Sequence, residues 1–132
     1  MAYGLVSFGK TSADLKAQIA AIGRSMAVIS FDTEGRILDA NENFLTALGY
    51  GLADVRGKHH SLFVAPGSAA SVEYKQFWEK LGRGEFIAGQ FLRIDAAGRE
   101  VWIEASYNPL LDGRGKPYKI VKYASDITEM KQ

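Results

Sequence analysis

The 132-residue sequence predicts an α+β domain: a five-stranded antiparallel sheet with helices over one face, preceded by an N-terminal amphipathic helix. Two short β-prone runs flank the turn Asp32-Thr33-Glu34-Gly35. Three longer runs close the chain, separated by Asp95-Ala96-Ala97-Gly98 and Asp112-Gly113-Arg114-Gly115. Between the two groups, apolar residues recur at helical spacing. A two-stranded hairpin and a three-stranded meander join naturally into one sheet, which leaves the intervening helices a face to cover.

At the start, Thr11 or Ser12 is placed to cap a helix over residues 11–25, with Leu15, Ile19 and Ile22 on one stripe and Gly23 near its end. That stripe is expected either to cover the outer sheet face near Trp102 or to pair two chains as a homodimer. Residues 26–31 and 36–40 read as a hairpin. Asn41 is positioned to cap a short helix carrying Phe44, Leu45 and Leu48 and ending at Gly49. Residues 50–64 read as irregular, with short helical turns at most. Over residues 71–81, Tyr74, Phe77, Trp78 and Leu81 fill one helical face at i, i+3, i+4 and i+7.

Residues 86–94, 100–111 and 117–125 are strand-like, and the Asp and Gly residues between them suit tight turns. Side chains alternate between the faces of a strand. Ile103, Ala105 and Tyr107 are therefore expected to face the core. On the last strand Val121, Tyr123 and Ser125 are expected to face inward and the charged Lys122 outward.

Composition narrows the function. Sixteen Lys and Arg balance fifteen Asp and Glu with no basic block, so nothing directs the chain to nucleic acid. The absence of cysteine excludes disulfides, thiolate metal sites and a cysteine nucleophile. Apolar runs are too short to span a bilayer, and the opening residues lack the pattern of a secretory signal, so a cytoplasmic location without membrane insertion is expected. Gly82-Arg83-Gly84 and Gly113-Arg114-Gly115 sit at a helix end and a turn, where glycine serves the backbone. Lacking a nucleophile or an acid–base constellation, the chain is not expected to be an enzyme.

His59 and His60 are the only histidines, and no third His or Cys completes a metal site. They either tie down a loop or turn one ring toward a buried cofactor. Asn41, His60, Phe63, Trp78, Phe86, Tyr107 and Tyr123 form the aromatic and polar set expected to surround an interior cavity.

The runs Val28-Ile29-Ser30-Phe31-Asp32, Asp39-Ala40-Asn41-Glu42-Asn43-Phe44 and Leu48-Gly49-Tyr50, with the closing Ser125-Asp126-Ile127-Thr128, resemble a PAS domain. His59-His60-Ser61-Leu62-Phe63-Val64, Phe77-Trp78 and Val101-Trp102-Ile103-Glu104-Ala105-Ser106-Tyr107-Asn108-Pro109 are similar to PAS modules at the front of bacterial methyl-accepting chemotaxis proteins, aerotaxis receptors among them. The resemblance implies a PAS fold over residues 26–128, an N-terminal cap or dimerisation helix over 1–25, and the start of a C-terminal signalling helix at 129–132.

It further implies a sensor of redox state, oxygen or a small molecule. The signal would leave through Asp126, Ile127 and Thr128 toward downstream chemoreceptor helices. A flavin (FAD) is the favoured cofactor and haem (heme) the second, with His59 or His60 as iron ligand; an empty cavity is also open. The alternative is a ligand-free PAS module for dimerisation or protein interaction. The chain departs from the aerotaxis pattern at Phe86, where that group has tryptophan, and at Val64-Ala65, where it has Arg-His. It also has Gly67-Ser68 where haem-binding relatives place their iron ligand. Without cysteine, adduct-forming light-sensing flavin chemistry is excluded.

Overall fold

Three aspartates set the turns of the sheet. Asp32 Oδ1 accepts from the backbone N–H groups of Glu34 and Arg36, Asp95 Oδ1 from Ala97 and Arg99, and Asp112 Oδ1 from Arg114 and Lys116, all at 2.8–3.0 Å. One carboxylate thus satisfies two donors that a tight turn leaves unpaired. The first of these turns also needs its glycine. Gly35 has φ +93°, and a Cβ there would lie 2.6 Å from His59 Nε2 and 3.0 Å from the Trp78 ring.

The computed structural model describes residues 11–131. Residues 1–10 of the expected N-terminal segment and Gln132 of the expected C-terminal helix lie outside the described residues. The strands are β1 (Ala27–Phe31), β2 (Ile37–Ala40), β3 (Ile87–Ile94), β4 (Glu100–Leu111) and β5 (Pro117–Asp126), in the spatial order β2-β1-β5-β4-β3. Every neighbouring pair is antiparallel, and the hairpin joins the meander through β1 and β5. The helices are α1 (Ser12–Ser25), α2 (Glu42–Leu48), α3 (Leu52–Val55), α4 (Pro66–Ala69) and α5 (Val72–Gly82). The stretch read as irregular holds α3 and a 3-10 turn over His60–Phe63.

The core lies between the helices and one sheet face. Ile29, Phe31, Phe44, Leu48, Phe63, Leu81, Ile103 and Ile120 are buried there, and each such side chain stabilises by roughly 1.5–3 kcal/mol. As expected, Ile103, Ala105 and Tyr107 face this core.

On β5 the expectation is reversed. Tyr107 pairs with Lys122, Ala105 with Ala124 and Pro109 with Ile120. Paired residues share a face, so Ile120, Lys122 and Ala124 point inward, with 0%, 1% and 2% of their surface exposed. Val121 and Tyr123 point to the outer face and Ser125 is exposed. Register decides the facing of every residue in a strand at once, and one lysine cannot overrule it.

The outer face is covered in part by α1. Thr11 Oγ1 caps this helix by accepting from Asp14 N at 3.0 Å. None of its residues is fully buried, and Leu15, Ile19 and Ile22 keep 42%, 66% and 40% of their surface exposed. A groove of about 500 Å³ separates Ile19 and Ile22 from Val28, Leu110, Lys119, Val121 and Tyr123. The helix therefore sits over the end of β4 that carries Leu110, not over Trp102. Trp102 lies toward the other end of that strand, with Lys131 Nζ 4.8 Å from its ring centroid.

Candidate functional site

Five elements bring polar side chains into the apolar core. Tyr107 comes from β4, Lys122 from β5, Arg93 from β3, Tyr74 from α5 and His60 from the 3-10 turn. His59 fixes that turn: its Nδ1 accepts from Ser61 N at 3.0 Å and its Nε2 lies 2.9 Å from the Glu34 carbonyl oxygen. The His60 N–H donates to Gly35 O at 2.8 Å, which ties the turn to the first hairpin.

His60 is wholly buried. Its Nδ1 is 2.7 Å from Tyr74 Oη, and its Nε2 is 3.0 Å from Tyr107 Oη. Arg93 Nη2 donates to Tyr107 Oη at 3.0 Å. Arginine has only donors, so the Tyr107 oxygen accepts there, and its own proton is satisfied by donating to His60 Nε2. The imidazole proton then belongs on Nδ1, donating to Tyr74 Oη. One neutral tautomer satisfies the whole chain, an assignment made from the network.

Lys122 Nζ lies 4.8 Å from the Tyr107 ring centroid and 5.5 Å from that of Phe44. Among the described residues no carboxylate pairs with Lys122 or Arg93; the ion pairs are Arg56–Asp39, Arg83–Glu85 and Arg99–Asp95. Arg93 is 7% exposed, and its Nε is buried without a hydrogen-bond partner. Among the described residues the centre therefore gathers basic groups with no carboxylate beside them.

Burial, reinforced by Lys122 and Arg93, holds the His60 imidazole well below its usual value. Burial and Arg93 do the same to the Lys122 amine. Burial raises the Tyr107 hydroxyl and pushes Tyr74 up to about 12, so both hydroxyls keep their protons.

His60 and Lys122 are bases depressed in the folded state, so below their unfolded values the unfolded chain binds more protons and stability falls with falling pH. For Lys122 this loss begins below about pH 10.4; for His60 it adds below about pH 6.5. Denaturant titrations between about pH 5 and 8 should show stability falling on the acid side of pH 6.5, by up to about 1.4 kcal/mol per pH unit for each proton involved. A flat profile from pH 8 to 5 would show that His60 is not held neutral.

Of the seven residues expected around one cavity, His60, Phe63, Trp78 and Tyr107 are brought together, with His60 ring centroids 6.0, 5.4 and 5.7 Å from the other three. The remaining three stand elsewhere. Phe86 precedes β3 and is 64% exposed. Tyr123 lies on the outer face because the register turns it away from Lys122's side. Asn41 is spent on the backbone: Oδ1 accepts from Val28 N and Phe44 N, while Nδ2 donates to Gly23 O and Met26 O. Arg93 and Lys122 were not among the candidates. Their signal was alternation, since Phe91 and Arg93 share one parity, as do Ile120, Lys122 and Ala124.

As arranged, the interior does not accommodate a flavin. Phe77 and Tyr107 meet edge-on with centroids 4.8 Å apart, and His60 stacks on Tyr74 at 5.8 Å and on Phe77 at 6.2 Å. A flat tricyclic ring would need these side chains parted. Haem fits no better, because both nitrogens of His59 and both of His60 are engaged. Neither histidine presents a free lone pair to iron.

The strands leading from this centre end in a second polar cluster. Asp126 Oδ1 accepts from Thr128 N at 2.9 Å and from Thr128 Oγ1 at 2.6 Å. Thr128 Oγ1 in turn accepts from Trp102 N at 3.0 Å, and Ile127 N donates to Trp102 O at 2.8 Å. Thr128–Lys131 follows as a 3-10 turn.

This sheet order, with short helices between β2 and β3 closing over one face, is a PAS arrangement. The sequence profile described as PAS fold matches residues 23–132, and the chain belongs to that family. It is 45% identical over 116 residues to the biofilm dispersion protein BdlA of Pseudomonas aeruginosa, covering 88% of this chain and 28% of that protein. It is 30% identical over 108 residues to the oxygen sensor protein DosP of Escherichia coli, covering 80% of this chain and 13% of DosP. The chain thus spans under a third of either relative. Among solved structures, an RNA-binding light-oxygen-voltage receptor matches with TM-score 0.81 and 20% identity over 99% of this chain and 38% of that one. The PAS domain of a Colwellia psychrerythraea protein matches with TM-score 0.74 and 22% identity, over 87% and 98% of the two chains. These structural likenesses concern the fold. No described helix is long and apolar enough to cross a membrane.

Proposed function

We propose that this PAS domain is the sensory input module of a chemotaxis-type receptor, in which a small molecule acts on the buried centre and the response leaves through the C-terminal junction. The observation that carries the reading is the continuity of the two polar clusters. Tyr107 and Lys122 sit opposite each other on β4 and β5, and the same two strands hold Trp102 and Asp126 at the exit. A shift of either strand at the centre is felt at the Asp126–Thr128–Trp102 stitch. Similarity to a protein named as an oxygen sensor supports a sensory role, and the packing favours a small ligand over a resident flavin or haem.

The test separates output from binding. In a receptor where this chain is followed by chemoreceptor signalling helices, Asp126→Ala should abolish most of the stimulus response. Folding should change little, since the lost bonds are exposed and together contribute about 1–2 kcal/mol. Full signalling by the variant would overturn the reading, and an absorption spectrum of the purified chain shows whether any flavin or haem is carried.

A second reading rests on α1. Its exposed Leu15, Ile19 and Ile22, beside the groove on the outer face, suit a module that pairs two chains without a ligand. Ile19→Glu with Ile22→Glu should then lower the mass in sedimentation; an unchanged mass would count against pairing through this stripe.

A further inference from the structure

We propose that the ligand of this module is a small organic acid, an apolar body bearing one carboxylate, bound at Arg93 in the cleft between α5 and β3. This rests on the sensory reading above and names the chemistry of the same centre. A cleft of about 460 Å³ is lined by Val64, Ser71, Tyr74, Phe77, Phe91 and Arg93. It joins solvent to the buried polar network, because Tyr74 and Arg93 belong to both.

Arg93 offers what an anion needs. Arg93 is 7% exposed, its Nη1 donates to Leu92 O and its Nη2 to Tyr107 Oη, its Nε has no hydrogen-bond partner among the described residues, and its guanidinium packs 5.0 Å from the Phe91 ring centroid. A planar fork matches a carboxylate in two-point contact. Behind it Lys122 adds a second buried basic group with no acidic partner among the described residues. A bound carboxylate supplies the negative charge this interior lacks, and a buried charge is tolerated when it is paired. The aromatic walls at Phe77, Phe91 and Tyr74 suit an apolar body more than a bare ion. Glu73, exposed at the rim, is the one carboxylate in the cleft lining, and it opposes an anion.

Binding must also move protons. A carboxylate near His60 and Lys122 makes both more basic, so complex formation takes up protons from the buffer. An anion held on exposed surface lysines would not do this.

The experiment is calorimetric titration of the full chain near pH 7 with benzoate, hexanoate, neutral benzamide and inorganic phosphate, in buffers of different ionisation heats. Benzoate or hexanoate should bind saturably with proton uptake, and benzamide should not. Arg93→Gln should weaken the carboxylate by about 10- to 100-fold. Lys122→Met, which should fold at least as well as the parent, should weaken it by about 3- to 10-fold through the lost field. Glu73→Gln should tighten it about twofold. The proposal is overturned if neither carboxylate binds, if benzamide binds equally, if phosphate alone binds, or if Arg93→Gln and Lys122→Met both leave affinity unchanged. None of these results bears on Asp126→Ala, so the organic-acid assignment can fail while the sensory reading stands.

Discussion

Lys122→Met should raise the melting temperature of the module at neutral pH, by on the order of 10 °C. The parent chain folds a lysine into a core with 1% of its surface exposed and, among the described residues, ring faces for partners. Those rings return about 0.5–2 kcal/mol as cation–π attraction. Desolvation costs several kcal/mol, or else the amine must give up its proton to fold. Methionine nearly matches the length and flexibility of lysine and carries no charge. Replacing even a buried ion pair by apolar side chains gains up to about 1–4 kcal/mol, and an unpaired lysine should gain a similar amount, or several degrees to more than ten for a domain of this size.

The gain should shrink as pH approaches about 10.4, where the unfolded lysine also loses its proton. Scanning calorimetry across that range checks both statements. A variant that melts lower at pH 7 would mean that the ring contacts outweigh the desolvation. Retaining a costly lysine is intelligible if the charge is needed for binding.

Asn41→Ala should cost about 3–4 kcal/mol and loosen α1, which Asn43 then holds alone at its C-terminal end. The residue makes four bonds at 2.9–3.0 Å, two to backbone N–H groups and two to backbone carbonyls. Loss of the cap at Phe44 N accounts for about 1 kcal/mol, and the three other part-buried bonds for about 1 kcal/mol each. The structural consequence is larger than the sum. With no fully buried residue, α1 is fastened at its C-terminal end, where Asn41 and Asn43 both reach the Gly23 and Met26 carbonyls.

Hydrogen exchange should speed up selectively over α1, with β1 following at Val28. Asn41→Asp keeps the two acceptor bonds but sets a carboxylate against two carbonyls, so it should restore the α2 cap and not the α1 attachment. If exchange over α1 is unchanged in Asn41→Ala, the helix is held by its apolar stripe after all.

Both residues show where sequence reasoning stopped. Caps, turns and alternation are local, so the Asp-x-x-Gly turns, the caps at Thr11 and Asn41 and the five strands could be read directly. The candidate site depends on long-range facts. Asn41 looked like a cavity residue because it is polar and near aromatic neighbours, yet its backbone partners at Gly23 and Met26 belong to another element. The charge of Lys122 predicts an outward side chain. The pairing of β4 with β5 places it beside Tyr107, and the apolar partners Ile120 and Ala124 on its own parity, not its charge, carry that information. His60, Phe63, Trp78 and Tyr107 could be grouped because each lies on an apolar stripe or an inward strand position. Arg93 shares the parity of Phe91, but a charged residue reads as solvent-facing when its type is weighed above its parity.

The turn at Asp112 has a meaning beyond geometry. It joins β4 to β5, and its carboxylate fixes how far one strand slides along the other. A slip of one residue would carry Lys122 into water and put Val121 or Tyr123 in its place, a trade that charge alone would welcome. The hairpin is thus a latch held against an internal push. Inserting one residue between Gly113 and Gly115 should let the push win, turning Lys122 outward and leaving an uncharged interior.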